Sequence, residues 1–192
     1  MKKSCIIITG IFLLFTTCKQ KVVNDQKEAF ISVLSIIRGQ VKHVDTSIYR
    51  IIKVTYKDST YGDTEYIKRE NFSQYAGDFL EIPDIADQKH QSEYTEEKLY
   101  DESLNRVIIT YRPKNPDKAD IQRQELVIIP DPFGGESKIK NIIIERGFSN
   151  RDSSVQKIML WQVDQSFQVT NIIQKNGQPE MTNTFKVMWN ED

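Results

Sequence analysis

The sequence predicts an α+β fold, in which N-terminal amphipathic helices pack on one face of an antiparallel meander sheet of roughly six to seven strands. Two observations support this prediction. In the first part of the chain's body, apolar residues recur at intervals of three and four, which is the spacing of one helical face. Further along, the pattern changes to short β-rich runs that are separated by turn residues. These runs follow one another too closely for crossover helices, so neighbouring strands should pair antiparallel.

The first predicted helix is amphipathic. Its apolar stripe comprises Phe30, Val33, Leu34, Ile37, Val41 and Val44. Asp25, with Glu28 three residues later, resembles a capping box and predicts the start of the helix. Gly39 interrupts the stripe and predicts an end or a bend, because glycine inside a helix costs about 1 kcal/mol relative to alanine.

Two more segments before the sheet carry apolar stripes. Residues 47–56 fit both an alternating strand and a helical face, and the helical interpretation is preferred. A second helix is predicted by a cleaner stripe, which comprises Phe72, Tyr75, Ala76 and Phe79. This helix should end near Ile82, since Pro83 disfavours helical geometry in the residue before it.

The predicted strands are short and β-rich. They cover residues 107–111, 126–129, 139–144, 155–163, 167–173 and 185–189, with 94–100 as a candidate seventh. Turn residues separate them, among them Gly134-Gly135 and Asn176-Gly177.

The register of the last hairpin follows from its apolar residues. A three-residue loop at 176–178 pairs Phe167 with Val187, Val169 with Phe185, and Ile173 with Met181. A loop of two residues would turn half of this apolar set to the other face, so the longer loop is preferred. All six residues are therefore predicted to be core. Gly177 is expected at a positive φ, and Trp189 is expected to point inward.

Composition limits the class of protein. The chain has 192 residues, with 26 basic and 27 acidic side chains and a net charge of −1. A balance this close to neutral excludes a nucleic-acid protein that works by bulk charge, because phosphate neutralisation needs an excess of Lys and Arg. No domain boundary is visible, so residues 26–192 are predicted to form a single domain.

The N-terminus has the order of an export signal. Lys2 and Lys3 are followed by an apolar stretch at 6–15. A membrane-spanning helix needs roughly 20 apolar residues, so this stretch is too short to span a bilayer. Its length and its flanks are typical of a secretory signal peptide.

Residues 14–19 read Leu-Phe-Thr-Thr-Cys-Lys, and the cysteine is Cys18. This segment resembles the lipobox of bacterial lipoproteins, in which a peptidase cuts before a cysteine that is then acylated. Phe15 stands where leucine is usual, a relaxed form that is similar to lipoprotein leaders of Bacteroidota. The resemblance implies a signal peptide at 1–17 and a lipidated tether at 18–25. Acylated Cys18 would then hold the protein on a membrane. The same resemblance favours the periplasmic face of the outer membrane, because no acidic run follows the cysteine.

Residues with catalytic chemistry are few. Cys5 lies in the leader, so the mature chain keeps only Cys18, which excludes an intramolecular disulfide and a cysteine nucleophile. His43, Asp45 and Ser47 lie close together as a possible triad, but residues of the last two types commonly cap helices and make turns, and that role is preferred. His90 lies in a polar stretch and is predicted to be exposed in a loop.

Two loop segments fail the motifs that they resemble. Residues 58–65 lack the ligand spacing of a calcium loop, and residues 133–136 lack the lysine of a phosphate-binding loop. Both are predicted to be turns. No catalytic, cofactor-binding or metal-ligating residue is therefore predicted.

The functional expectation is a non-enzymatic envelope lipoprotein that binds another envelope protein or an amphipathic ligand. The alternatives are a carrier of an amphipathic ligand and an envelope hydrolase that uses His43 or carboxylates which the sequence cannot place. All eight tyrosines fall between Tyr49 and Tyr111, and core packing is preferred over a tyrosine-lined groove.

Overall fold

A computed structural model describes residues 29–57, 62–150 and 152–190, and for residue 57 it describes the backbone only. The predicted leader, Cys18 and the tether lie outside the described residues. So do Asp25 and Glu28, which were predicted to cap the first helix.

The described chain contains helical segments and long strands. The helices are α1 (Val33–Thr46), α2 (Phe72–Tyr75), α3 (Gly77–Leu80) and α4 (Gln88–Gln91). The strands are β1 (Ile52–Lys57), β2 (Thr64–Tyr66), β3 (Tyr94–Asp101), β4 (Arg106–Pro113), β5 (Ile121–Ile129), β6 (Lys138–Ser149), β7 (Ser153–Gln162), β8 (Ser166–Lys175) and β9 (Met181–Met188).

The nine strands form one open antiparallel sheet, in the order β2-β1-β9-β8-β7-β6-β5-β4-β3. Strands β3 to β9 are a meander, and the N-terminal β1 pairs with β9 at the end of the chain. The prediction of an antiparallel sheet is confirmed. The predicted number of six to seven strands was wrong, because β1 and β2 were missed.

The helical interpretation of 47–56 was wrong. Strand β1 forms an unbroken antiparallel ladder with β9, from Ile52 opposite Met188 to residue 57 opposite Asn183. Its other edge pairs with β2, in which all three residues are exposed. The partner of β1 lies more than 120 residues away in sequence, so local periodicity could not reveal it.

Helix α1 buries the predicted stripe, since all six residues of the stripe are buried. The helix begins at Val33, because the hydroxyl of Ser32 accepts a hydrogen bond from the backbone N–H of Ser35 at 3.1 Å. Gly39 does not end it, and a Cβ at this position would meet nothing within 4 Å. The helix continues to Thr46.

The second predicted helix is divided into α2 and α3. Phe72, Ala76 and Phe79 of the predicted stripe are fully buried. The backbone N–H of Ala76 donates to the carbonyl of Phe72 at the point where the two segments meet. In place of several amphipathic helices, the described chain has one α-helix of 14 residues, three α-helical segments of four residues, and two 3₁₀ turns at Arg69–Asn71 and Pro116–Lys118.

The register of the last hairpin is as predicted. Phe167 lies opposite Val187, Val169 opposite Phe185 and Ile173 opposite Met181, and Gly177 has a φ of +72°. Trp189 is buried, also as predicted. The prediction that all six paired residues are core was wrong in part. Met181 is 45 % exposed, and Ile173 is only half-buried, because neither residue packs against the buried cluster beneath the helices.

The core lies between the helical segments and one face of the sheet. Register places Trp161 between Ile142 and Phe167 on this face, which we call the inner face. The ring of Phe79 from α3 lies 5.0 Å from the ring of Trp161, and the ring of Phe72 from α2 lies 5.9 Å from that of Phe167. Aromatic side chains therefore join the helices to the centre of the sheet.

Candidate binding surface

The two faces of the sheet differ in what covers them. Successive side chains of a strand point to opposite faces, so the register assigns each residue to one face. Every buried apolar side chain of α1, α2 and α3 belongs to the same cluster as the inner-face residues. We call the opposite side the outer face. No helix among the described residues contributes a buried side chain to it.

Aliphatic side chains lie together at the centre of the outer face. The aliphatic patch comprises Ile108, Val127, Ile143, Ile158 and Leu160. Ile108 pairs directly with Val127, and Ile143 pairs with Leu160. All five are half-buried, and none belongs to the buried core cluster. The patch is therefore apolar surface that neighbouring strands cover only in part.

Three charged side chains border the aliphatic patch. Arg123 donates from Nη1 to Glu125 Oε2 at 2.8 Å and from Nη2 to Glu145 Oε1 at 2.6 Å. Register places Glu125 opposite Ile143 and Glu145 opposite Ile158. The hydrogen bond to Glu145 raises the pKa of Arg123, and the charges of both glutamates add to this effect against the opposing effect of burial. We call these residues the ion cluster.

Polar side chains occupy other parts of the same face. Ser166 is buried and donates to Gln162 Oε1 at 2.7 Å. The hydroxyls of Thr170 and Thr184 are hydrogen-bonded across β8 and β9 at 3.0 Å. Near the patch, Asn141 Oδ1 is buried with no hydrogen-bond partner among the described residues. The outer face thus combines apolar area with preformed polar groups, which is the usual make-up of a binding surface.

The residues of the possible triad do not form one in the structure. His43 is exposed on α1, and its ring contacts that of Tyr49 at 6.0 Å. Ser47 Oγ donates to the carbonyl oxygen of Val44 at 2.8 Å, and Ser47 is the C-cap residue of α1. Asp45 is exposed. The preferred role of Ser47 in ending the helix agrees with this geometry.

Two other predictions have mixed outcomes. His90 was predicted to be exposed in a loop, but it lies half-buried in α4, with Nδ1 at 3.3 Å from Glu93 Oε2. The helix forms because Asp87 accepts backbone hydrogen bonds from His90 and Gln91. Residues 133–136 form a turn as predicted, with Phe133 exposed and Gly134 at a φ of +78°.

The tyrosines serve different regions and line no common groove among the described residues. Tyr94 and Tyr111 are buried, whereas Tyr66 and Tyr100 are exposed. Tyr75 is half-buried beside the inner face, with Lys53 Nζ at 5.0 Å from its ring centroid. Packing was therefore the correct interpretation for part of the set only.

The space between the helices and the sheet is filled by rings. Trp161 stacks on Phe167 at 5.2 Å, and Trp189 lies 5.2 Å from Phe72. An amphipathic ligand that used this space would have to displace these fully packed side chains. The outer face is therefore the better candidate for binding.

Sequence reasoning missed the ion cluster. Its members come from β5 and β6, and the pairing of these strands brings Glu145 opposite Arg123. The spacing of Arg123 and Glu125, two residues apart in a β-rich segment, is the signal that places both on one face. The prediction of strand 126–129 began too late in the sequence to use it.

The remaining findings concern the membrane and known proteins. Within residues 29–57, 62–150 and 152–190, no helix has the length and apolar character that a membrane crossing requires. No family model, no curated protein and no solved structure matches this chain.

Proposed function

We propose that this chain is a lipid-anchored protein of the cell envelope, a non-enzymatic module that binds another envelope protein through the outer face of its sheet. The observation that carries the proposal is the aliphatic patch, which lies half-buried beside the ion cluster on a face to which no described helix contributes a buried side chain. The partner is expected to present an apolar strip and charges that match the ion cluster.

The composition of this face supports a protein partner. Interfaces combine an apolar centre with a polar rim, and a small part of their residues contributes most of the affinity. Ile143 and Leu160 form the centre here, and Arg123 with its two glutamates forms one border. The sheet holds these side chains in fixed register, so little conformational entropy is lost when a partner binds.

The anchor rests on the leader. Residues 1–17 would be removed and Cys18 acylated, as the resemblance to lipoprotein leaders implies. Each buried methylene contributes about 0.8 kcal/mol, so two or more acyl chains hold a protein stably on a bilayer. We place the protein on the outer membrane, facing the periplasm.

The anchor is tested by Cys18→Ser. This variant should lose labelling by an alkyne fatty acid and leave the membrane fraction, because the thioether that carries the diacylglycerol cannot form. Cys5→Ser is the matched control, since Cys5 lies in the part of the leader that is removed, and it should keep both label and membrane association. Membrane retention of unlabelled Cys18→Ser protein would contradict the anchor.

The binding surface is tested by photo-crosslinking in cells. A photo-crosslinking amino acid at Leu160, on the aliphatic patch, should give a discrete adduct after irradiation. The same amino acid at Arg38, which is exposed on α1, is the control and should give little. Adding Ile143→Asp should reduce the adduct about tenfold, which corresponds to a loss of about 1.4 kcal/mol.

Two results would contradict the surface. One is equal adduct formation from Leu160 and Arg38, and the other is an adduct that Ile143→Asp leaves unchanged. A urea unfolding curve of each variant confirms that it is folded.

A further inference from the structure

Four apolar side chains form a row across one end of the inner face. Phe148 lies opposite Val155, Val155 opposite Ile173, and Ile173 opposite Met181, so the row crosses β6, β7, β8 and β9 without a gap. We call these four residues the terminal row. Directly opposed side chains of neighbouring strands contact one another, so the row is one continuous apolar strip.

The terminal row is exposed to solvent. Phe148 is 66 % exposed and Met181 is 45 % exposed, while Val155 and Ile173 are half-buried. None of the four packs against the core cluster beneath the helices. The strip is therefore exposed apolar surface that does not contribute to the core, and such surface commonly marks a contact site.

The chain enters the described domain at the same end of the sheet. The backbone N–H of Ile31 donates to the hydroxyl of Tyr111 at 3.1 Å, and the rings of Phe30 and Tyr111 are 4.5 Å apart. Tyr111 lies two residues before the end of β4. The register continues from Tyr111 through Gln124 to residue 144 of β6.

Phe148 is four residues further along β6 than residue 144, which corresponds to about 13 Å along the strand. Two strand spacings, about 10 Å, separate β4 from β6 sideways. Phe148 therefore lies beyond Tyr111 at the end of the sheet where the described chain begins.

The length of chain outside the described residues limits how the anchored domain can sit. Eleven peptide units join Cys18 to Ala29, a reach of at most about 40 Å when fully extended. Strand β6 alone has 12 residues and is about 40 Å long. A tether of this length brings the end with the terminal row close to the bilayer more readily than the opposite end, where Phe133 lies.

We propose that the terminal row rests on the bilayer that holds the acylated Cys18, with Phe148 and Met181 inserted at the level of the headgroups. This inference rests on the proposed lipid anchor. Apolar and aromatic side chains at the end of an anchored domain add to the affinity of the acyl chains and fix the domain's orientation. The charges next to the row are mixed: Lys175 ends β8, and Asp152 and Glu180 immediately precede β7 and β9 at the same end of the sheet. Apolar contact therefore supplies the attraction.

This orientation leaves the aliphatic patch accessible. The patch lies on the outer face, whereas the terminal row lies on the inner face at the end of the sheet. A domain that stands on this end directs its strands away from the bilayer. The outer face then remains open to a partner from the side.

The test compares two exposed phenylalanines at opposite ends of the sheet. Phe148→Cys and Phe133→Cys are each labelled with an environment-sensitive fluorophore in the full acylated protein, in which the Cys18 thiol is blocked as a thioether. The proteins are reconstituted into vesicles of phosphatidylethanolamine and phosphatidylglycerol that contain a brominated lipid. The label at position 148 should be quenched severalfold more than the label at position 133. Met181→Asp should reduce the quenching at position 148.

The outcomes separate this inference from the proposed anchor. Labelled proteins that float with the vesicles but show equal quenching at both positions would overturn the orientation and leave the anchor intact. Wild-type protein that does not float would overturn both. A third outcome is that labels at position 148 quench one another in detergent but are not quenched by lipid in vesicles. This result would assign the terminal row to contact with a second copy of the chain, and it would also overturn the inference. Unfolding curves of the labelled variants exclude a loss of fold as the cause.

Discussion

At the scale of single residues, Tyr111 connects the start of the chain to the sheet. Its ring is fully buried beside Phe30, and its hydroxyl accepts the backbone hydrogen bond of Ile31. Burial raises the pKa of Tyr111 to about 12, from an ordinary value of 10.0, and the charge of Glu96 acts in the same direction. The neutral phenol is therefore the form that the folded state favours.

This shift predicts a loss of stability in alkaline solution. The folded pKa lies above the unfolded one, so the contribution is complete below pH 10 and is lost as the pH rises towards about 12. Its size is about 3 kcal/mol, from about two pKa units at 1.36 kcal/mol each. Guanidinium unfolding at several pH values should show this fall.

Tyr111→Phe is the control for the alkaline prediction. It removes the titrating group, so its free energy of unfolding should fall less steeply over the same pH range, even if its value at neutral pH is lower. Equal slopes for the wild type and the variant would show that Tyr111 does not carry the effect.

At the scale of elements, the hairpin β8–β9 and helix α1 show what local pattern reveals. The apolar residues of the hairpin selected a register that the structure confirms, because a slip of one residue would turn Phe185 and Val187 to the wrong face. The stripe of α1 likewise identified its buried side. Its start was predicted too early, since the cap depends on Ser32, whose hydroxyl also contacts Asp84 Oδ2 at 2.5 Å.

The cap of α1 carries a prediction about stability. Ser32→Ala removes the side-chain acceptor for the Ser35 N–H and the contact with Asp84, so it should lower the free energy of unfolding by about 1 kcal/mol. Ser73→Ala, at an exposed position of α2, should change it by less than about 0.5 kcal/mol. Urea denaturation measures both, and equal effects of the two substitutions would argue against the cap.

The strands β1 and β2 show where local pattern stops being informative. Ile52 fits a helical face as well as a strand, and the three residues of β2 are all exposed, so neither segment has a distinctive sequence pattern. β1 becomes a strand because β9 offers an edge whose backbone groups need partners, and β2 in turn pairs with the other edge of β1.

At the scale of the whole molecule, the proposed function depends on a difference between two faces and between two ends of one sheet. The inner face is closed by the rings of Phe72 and Phe79 above Trp161 and Phe167. The outer face keeps the aliphatic patch, and one end keeps the terminal row. Alternation along each strand predicts that Met181 shares a face with the core residues, but only the extent of the helices decides that it stays exposed.

Local sequence pattern was enough to predict the antiparallel sheet from β3 to β9, the buried stripe of α1 and the hairpin register, and it also carries the resemblance of the leader to a lipoprotein signal. These follow from residues that are near neighbours in the chain, where spacing and turn chemistry act directly. The place of β1, the contact between Arg123 and Glu145, and the exposure of the terminal row become visible only in the folded chain. Each of these depends on which distant segments share a face or an edge, and pairing between distant strands is a property of the folded chain that no local spacing encodes.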